Sequence, residues 1–229
     1  MKKSFIMIPA MLLAMLFSSC LEHKVTLTVN QDGSGTLEEK TIFGASMLAM
    51  MAQAPAEAGD PVAETIDRMA KAATTNAQKM GEGVTVLKAG ALEGDQKGVS
   101  VVYAFKDVNQ LKYSFGSGMA SMSPDGGDQS KDDPIDISYE NNLLTIKSPK
   151  PKGEDLPDEE PTDQDIAMAQ QIMGDMKVSM DVVLPGGIEE TNAKHVQDNT
   201  VTMMHMDMNK VLADPAKFKE MVKAEPKTR

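Results

Sequence analysis

Apolar and polar residues alternate along several segments of the chain, as they do in a strand that buries one face. In the first such segment, Val25, Leu27 and Val29 alternate with lysine and threonine residues. The turn-forming run at residues 30–35 follows, so residues 36–43 are predicted to return as the partner strand of a hairpin. The same alternation predicts further strands beginning at residue 84 and at residues 99–105, 135–139, 144–146, 176–184 and 199–208.

A helical period is clearest after Asp60, where an aspartate cap is followed by proline at the first helical position. Apolar residues then recur at steps of three and four between residues 62 and 80, so they share one face. Gly81 and Gly83 are predicted to end this helix. Residues 47–52 form a short helix or an ordered loop, and two more short helices are predicted, one after Thr162 and one after residue 214, with Phe218, Met221 and Val222 inward.

Strands in adjacent pairs with helices grouped between them predict an α+β fold. We expect an antiparallel β-sheet built of hairpins and packed by one long amphipathic helix plus short helices. Residues 20–229 are interpreted as a single α+β domain, in which residues 116–134 form a loop and residues 148–163 form a charged, proline-rich excursion. The strands of the last third are expected to form a second block of sheet.

The N-terminal residues have the pattern of an export signal. Two lysines precede an almost wholly apolar run at residues 5–17, which is too short for a transmembrane helix of roughly 20 residues. Two serines then lead to Cys20, the only cysteine of the chain. A lipobox has a branched aliphatic residue three positions before its cysteine, a place that Phe17 occupies in this chain, and Leu16 lies one step earlier.

We therefore predict a lipoprotein signal peptide at residues 1–19, cleavage before Cys20, and lipid attachment at Cys20. The alternatives are an ordinary signal peptide with an incidental cysteine, or a buried thiol in a soluble protein. Several acyl chains anchor a protein stably where one chain is marginal, so the membrane is the first expected partner. Leu21, instead of aspartate, follows the cysteine, which favours the periplasmic face of the outer membrane if the host has two membranes.

The charge of the chain excludes one class of partner. Acidic residues outnumber basic ones by 34 to 23, which gives a formal net charge of −11, and no basic patch is evident. Such a chain repels phosphate backbones, so we expect no nucleic-acid binding. Aromatic residues make up only 4% and Trp is absent, whereas Met reaches 20, so methionine must fill much of the apolar volume. That composition suggests a soft core or a plastic apolar surface.

Several local patterns occur in a fixed order at both ends of the proposed domain. Cys20 leads directly into Val-Thr-Leu-Thr-Val at residues 25–29 and the turn at residues 30–35. Leu-Pro-Gly-Gly-Ile at 184–188, Thr-Asn-Ala at 191–193 and Asn-Thr-Val-Thr at 199–202 come later. Together they resemble the LppM-like family of bacterial envelope lipoproteins, a poorly characterised α+β domain.

The resemblance implies an envelope lipoprotein with affinity for lipid-like ligands, and it implies no catalytic residues. Two features depart from the family pattern. Met203 and Met204 stand where members often carry an aromatic residue, and the C-terminal membrane helix of some members is absent.

The first hairpin turn partly matches a calcium-binding loop. Asn30, Asp32, Ser34 and Glu39 have the spacing of EF-hand positions 3, 5, 7 and 12, with Gly33 at the position of the required glycine. The template needs an acid where Thr28 stands and an aliphatic residue where Gly35 stands, and its flanks must be helices. A hairpin turn is therefore predicted instead of a calcium site.

The methionine-rich run at residues 203–208 suggests copper, since thioether and imidazole ligands suit that metal. On a strand, Met204, Met206 and Met208 share one face, whereas Met203, His205 and Asp207 share the other. A methionine face against the core explains the first three without a metal. Copper therefore remains an alternative, and we assign no metal site.

Two further groups of residues have simple explanations as well. Met47, Met50 and Met51, with Met119 and Met122, could line an apolar groove for a lipid or peptide, but ordinary apolar packing accounts for them. The acidic loop of Asp125, Asp128, Asp132 and Asp133 could hold divalent cations, but a solvated run explains it more simply.

No motif of a hydrolase, a metalloprotease or a phosphate-binding loop is present, and the chain has only His23, His195 and His205. We expect no catalytic residues, no cofactor and no enzyme activity. The protein is predicted to be a lipid-anchored envelope protein of binding or scaffolding type. In one hypothesis it holds a lipid or other apolar ligand between the helix at residues 60–81 and the sheet. In the other it is a structural lipoprotein whose acidic surface meets envelope proteins.

Overall fold

The computed structural model describes residues 20–53, 59–115, 134–147, 162, 164, 166–168, 170 and 174–214. Several sequence predictions lie outside the described residues. These are the signal peptide, almost all of the loop at 116–134 and of the excursion at 148–163, and the terminal helix after residue 214. No helix among the described ranges is long and apolar enough to cross a membrane.

The described residues form nine strands and three helices with defined bounds. In chain order the strands are β1 (Leu21–Val29), β2 (Gly35–Phe43), β3 (Thr85–Ala91), β4 (Gly98–Phe105), β5 (Asp136–Glu140), β6 (Leu143–Lys147), β7 (Met176–Val183), β8 (Val196–Gln197) and β9 (Thr200–Asp207). The helices are α1 (Ala45–Met51), α2 (Pro61–Lys79) and α3 (Met208–Leu212), and a 3-10 turn spans Val108–Gln110. The described residues between 164 and 170 are also helical, in agreement with the helix predicted after Thr162.

Seven strands form one sheet in the order β3-β4-β2-β1-β7-β9-β8, and β5 and β6 form a separate hairpin. The chain is thus a mixed α+β protein with a large, mostly antiparallel sheet and few helices. Two details of the predicted sheet are wrong. The first is that the sheet is not wholly antiparallel, because β1 pairs with β7 in parallel, from Leu21 opposite Met176 to Thr28 opposite Val183. The second is that the strands of the last third do not form a separate block, because this pairing joins them to the first strands. The hairpin with β2 leaves one edge of β1 open, and β7 fills it with the same alternation of buried and half-buried residues.

Strand alternation divides the sheet into a buried face and a more polar face. On β1 and β2 the odd-numbered residues are buried, and they are joined by Val101 and Tyr103 of β4 and by Met180 and Val182 of β7. On the opposite face, Lys24 pairs with Glu22 and Lys40 pairs with Glu38, both at 2.9 Å. Partly exposed ion pairs of this kind contribute little to stability.

Helix α2 packs on the buried face of the sheet and begins as its sequence predicts. The Asp60 side chain accepts a hydrogen bond from the Val62 N–H at 3.0 Å, and proline stands at the first helical position. Met69, Ala73, Asn76 and Ala77 are its buried residues. After the helix, Gly81 has φ +130°, and a Cβ there would collide with the carbonyl oxygen of Gln110. Any residue other than glycine would therefore strain the backbone and crowd the Gln110 carbonyl at this point.

Candidate functional site

A cluster of polar side chains lies under α2 on a face of the sheet that is otherwise apolar. His23 of β1 is directly opposite Thr41 of β2, and Glu39 lies two residues earlier on the same face of β2. Asn76 comes from α2, and Tyr103 comes from β4. Tyr113 completes the cluster from the irregular segment after the 3-10 turn. All six side chains belong to buried residues, so we call them the buried polar cluster.

Hydrogen bonds connect most of the buried polar cluster. The Tyr113 hydroxyl donates to Glu39 Oε1 at 3.0 Å, and Tyr103 bonds to both Glu39 and Asn76. His23 Nδ1 lies 3.0 Å from Thr41 Oγ1. The other ring nitrogen, His23 Nε2, is buried and has no hydrogen-bond partner among the described residues. A polar atom left in that state lowers stability by about 1–3 kcal/mol unless it binds water.

Burial shifts the two titratable groups at the centre of the cluster in opposite senses. Desolvation raises the pKa of Glu39 to about 7, although the hydrogen bonds from Tyr113 and Tyr103 act against this rise. Desolvation lowers the pKa of His23 to about 4, so its imidazole is neutral at neutral pH. Burial and the charge of Glu39 also raise the pKa of both tyrosines. A carboxyl that titrates near pH 7 is the kind of group that acts as a general acid or base.

The space beside this carboxyl is very small. A cavity of about 20 Å³ lies between α2 and the sheet. Its walls are His23, Glu39, Thr41, Met69, Asn76, Val99, Val101 and Tyr103, all of them buried. A water molecule needs about 10–15 Å³, whereas small-molecule pockets measure about 300–1,000 Å³. The cavity has room for about one water and none for a lipid or a typical substrate.

Cys20, the predicted lipid-attachment residue, lies directly at the start of β1. Its N–H donates to the carbonyl of Asp175 at 3.1 Å, and its own carbonyl accepts from the Gly44 N–H at 2.9 Å. Burial and the charge of Asp175 raise the pKa of its thiol. These contacts join Cys20 to the sheet without an intervening linker.

The run at residues 30–35 forms the predicted hairpin turn between β1 and β2. Asp32 accepts hydrogen bonds from the backbone N–H and the hydroxyl of Ser34 at 3.0 and 2.6 Å, and Gly33 has φ +81°. Glu39 lies away from this turn, in the buried polar cluster. The antiparallel pairing of β1 with β2 on the two sides of the turn confirms the predicted hairpin.

The methionine-rich run is split by a β-bulge and by the end of β9. Met180 pairs with Met204 and Asp181 pairs with Thr202, so Met203 has no residue opposite it and is 42% exposed. Met204 and Met206 are half-buried, whereas Met208 is buried in α3 against Ile166 and Leu212. His205 is exposed on β9. The described residues contain no group of three His, Cys, Asp or Glu side chains that could hold a metal ion.

The other residues considered in the sequence are not brought together at the buried polar cluster. Met47 and Met51 are half-buried, and Met50 is 63% exposed on α1. His195 is exposed, as is His205. Met119, Met122, Asp125, Asp128, Asp132 and Asp133 lie outside the described residues.

Sequence reasoning missed the buried polar cluster, although part of its signal was present. Glu39 and Thr41 stand at inward positions of β2, between Leu37 and Phe43, where alternation calls for apolar residues. His23 breaks the inward series of β1 in the same way. Polar residues at buried strand positions are therefore the feature that could have identified the site.

Comparisons with known proteins give little further information. No family model matches the chain, and no curated protein matches it. Among solved structures, the chain is similar to the NMR structure of the folded domain of Mycobacterium tuberculosis LppM, with 15% identity and a TM-score of 0.36. The match covers 84% of this chain and 85% of that domain. At this level the likeness adds nothing about function.

Proposed function

We propose that the protein is a lipid-anchored lipoprotein of the bacterial cell envelope, with a binding or scaffolding role and with its lipid on Cys20. The observation that carries this proposal is the position of Cys20 directly before the central strand, with both of its backbone polar groups hydrogen-bonded. A lipid attached there holds the whole sheet at the membrane surface. The export-signal pattern of residues 1–19 supports the same assignment.

The backbone contacts of Cys20 are compatible with acylation of its nitrogen. An amide-linked acyl chain leaves one hydrogen on that nitrogen, and one hydrogen is all that the bond to the Asp175 carbonyl uses. Cys20 is a half-buried residue, so a glyceride linked through its sulfur can extend away from the sheet. Neither modification requires β1 to leave the sheet.

Between the two binding hypotheses, the packing of the described residues between α2 and the sheet supports the one without a small ligand. The space between α2 and the sheet has room for about one water, so it offers no site for a lipid or hydrophobic peptide. The small volume of this space also argues against catalysis at Glu39, because a substrate could not reach the carboxyl despite its raised pKa. We therefore propose that the protein acts through its surface, by contact with the membrane and with other envelope proteins.

Intact-protein mass spectrometry tests the proposal. The full-length chain, expressed in a bacterium that processes lipoproteins, should yield a mature protein that begins at Cys20 and carries acyl chains. The Cys20→Ala variant should be neither acylated nor retained in the membrane fraction. Acyl-free protein cleaved at another residue would contradict the proposal.

Native mass spectrometry of the same material addresses the ligand. We expect no stoichiometric lipid beyond the anchor and no copper. Co-purified lipid would support the hypothesis that the protein holds an apolar ligand. Bound copper would support a metal site at residues 203–208. Separation of the two membranes of a diderm host would test the outer-membrane location that Leu21 favours.

A further inference from the structure

Helix α1 begins beside the proposed anchor. Gly44, its N-terminal cap, donates its N–H to the carbonyl of Cys20 at 2.9 Å. The first helical hydrogen bond then runs from the Leu48 N–H to the Gly44 carbonyl at 3.0 Å. Since α1 has seven residues and rises about 1.5 Å per residue, it remains within about 10 Å of that point along its axis.

The outward side of α1 is as uncharged as its inward side. Met47, Leu48 and Met51 are half-buried and pack on the core, whereas Ala45, Ser46, Ala49 and Met50 are exposed, Met50 to 63%. The helix sequence is Ala-Ser-Met-Leu-Ala-Met-Met, and residues 41–56 contain no charged side chain in a chain that is 25% charged. A surface helix normally has a charged or polar outer face.

We propose that the outward face of α1, with Met50 at its centre, contacts the bilayer next to the lipid on Cys20. This inference rests on the proposed anchoring. Its specific support is the hydrogen bond that joins the helix cap to Cys20, because any chain attached to Cys20 enters the membrane beside α1. Uncharged apolar side chains enter the interfacial region at little cost, and flexible methionines adapt to it. The anchor supplies the affinity, and α1 fixes how the sheet is oriented.

The absence of tryptophan from the chain permits a clean test. Met50→Trp places a reporter on α1, and Leu143→Trp is the matched control, since Leu143 is 67% exposed on β6. Each full-length lipoprotein is reconstituted into phosphatidylcholine vesicles, with or without brominated acyl chains. Because interfacial helices bury their apolar face by about 5–10 Å, the reporter at position 50 should shift to the blue and lose about half its emission to bromine. The reporter at position 143 should be unaffected.

Three results would overturn the proposal. They are no quenching at either position, equal quenching at both positions, and a blue shift at position 50 that bromine does not quench. The last would indicate a protein contact, such as a second copy of the chain. Circular dichroism checks that both variants fold.

A second arm separates this inference from the anchoring itself. If mass spectrometry finds no acyl chain, the Cys20 thiol is coupled to a maleimide lipid in the same vesicles. Quenching at position 50 under this synthetic anchor would support the helix contact although the native anchor had failed. No quenching would show that α1 does not contact the bilayer, regardless of how Cys20 is modified in the cell.

Discussion

The hydroxyl of Tyr113 donates to Glu39 Oε1 over 3.0 Å, and both residues are buried beneath α2. They are 74 residues apart in the chain. Tyr113 is held in place by its neighbours, since the Lys112 N–H donates to the carbonyl of Met80 at 2.7 Å. The hydrogen bond from Tyr113 to Glu39 favours the charged carboxylate and so opposes the rise in the Glu39 pKa that burial causes.

Replacement of Tyr113 by Phe should raise the pKa of Glu39 above its value of about 7, because the hydrogen bond favours the charged carboxylate. The loss of stability should be about 2–3 kcal/mol above pH 8, where Glu39 is ionised, and about 1 kcal/mol at pH 5. Carboxyl carbon NMR titration and urea unfolding measure the two effects. Tyr139→Phe is the control, since the Tyr139 hydroxyl bonds to the Gln31 carbonyl at 3.2 Å, outside the cluster. An unchanged Glu39 pKa in Tyr113→Phe would contradict the assigned role.

Glu39→Gln should remove the contribution of Glu39 to stability, which decreases as the pH rises. The folded pKa of Glu39 is raised from 4.5 to about 7, so the native state binds the extra proton between these values. Its contribution is therefore present below pH 4.5 and is lost as the pH rises through 7, a change of about 3 kcal/mol. Because the His23 slope then stands alone, the unfolding free energy of the variant should rise by about 3 kcal/mol between pH 4 and pH 6.5, whereas that of the wild-type protein stays nearly flat over most of this range. A wild-type pH profile in the Glu39→Gln variant would refute the linkage.

His23→Leu should have the opposite consequence. The pKa of His23 is lowered from 6.5 to about 4, so its contribution is present above pH 6.5 and is lost as the pH falls through 4, again about 3 kcal/mol. In the wild-type protein the two slopes oppose each other between about pH 4.5 and 6.5, which should make stability nearly flat there. The His23→Leu variant should instead lose stability steadily as the pH rises from about 4.5 to 7, because only the Glu39 slope remains. His205→Leu, which removes an exposed imidazole, is the matched control.

The small cavity should hold one ordered water bonded to His23 Nε2. The volume of about 20 Å³ suffices for a single water, and the polar walls offer the two to four partners that such a water needs. A high-resolution crystal structure at neutral pH is the measurement, with His23→Phe as a variant that fills the space and expels the water. A dry cavity in the wild-type protein would show this expectation to be mistaken.

Gly81→Ala should destabilise the fold by more than Gly83→Ala. Both glycines have positive φ, at +130° and +78°, so either substitution strains the backbone. Only at Gly81 would the new Cβ also collide with a carbonyl, that of Gln110. Chemical denaturation of the two variants isolates the collision, which we expect to cost at least about 1 kcal/mol more than the strain alone. Equal losses of stability in the two variants would mean that the segment around Gln110 moves aside at no cost.

The elements that depend on local pattern could be predicted from the sequence. Alternation located β1 and β2, and Asp60 followed by proline fixed the start of α2. Alternation states which face a residue occupies but not which strand lies beside it, so the parallel partnership of β1 and β7 was missed. The same limit applies to the buried polar cluster. The alternation of β2 places Glu39 at an inward position, so its burial could be predicted. Tyr113 lies in an irregular segment whose sequence has no period, so its burial could not.

The parallel pairing of β1 with β7 also constrains when the protein can fold. β1 is the first strand of the sheet to be synthesised, yet one of its edges is completed only by residues 176–183, about 150 positions later. Pairings of such long sequence separation form slowly, because the entropy of closing the long loop is lost before the strand contacts contribute any favourable free energy. Until the last third of the chain is available, β1 presents an unsatisfied edge that other strands could occupy. The central strand is thus the earliest part of the sheet to be made and among the last to be completed.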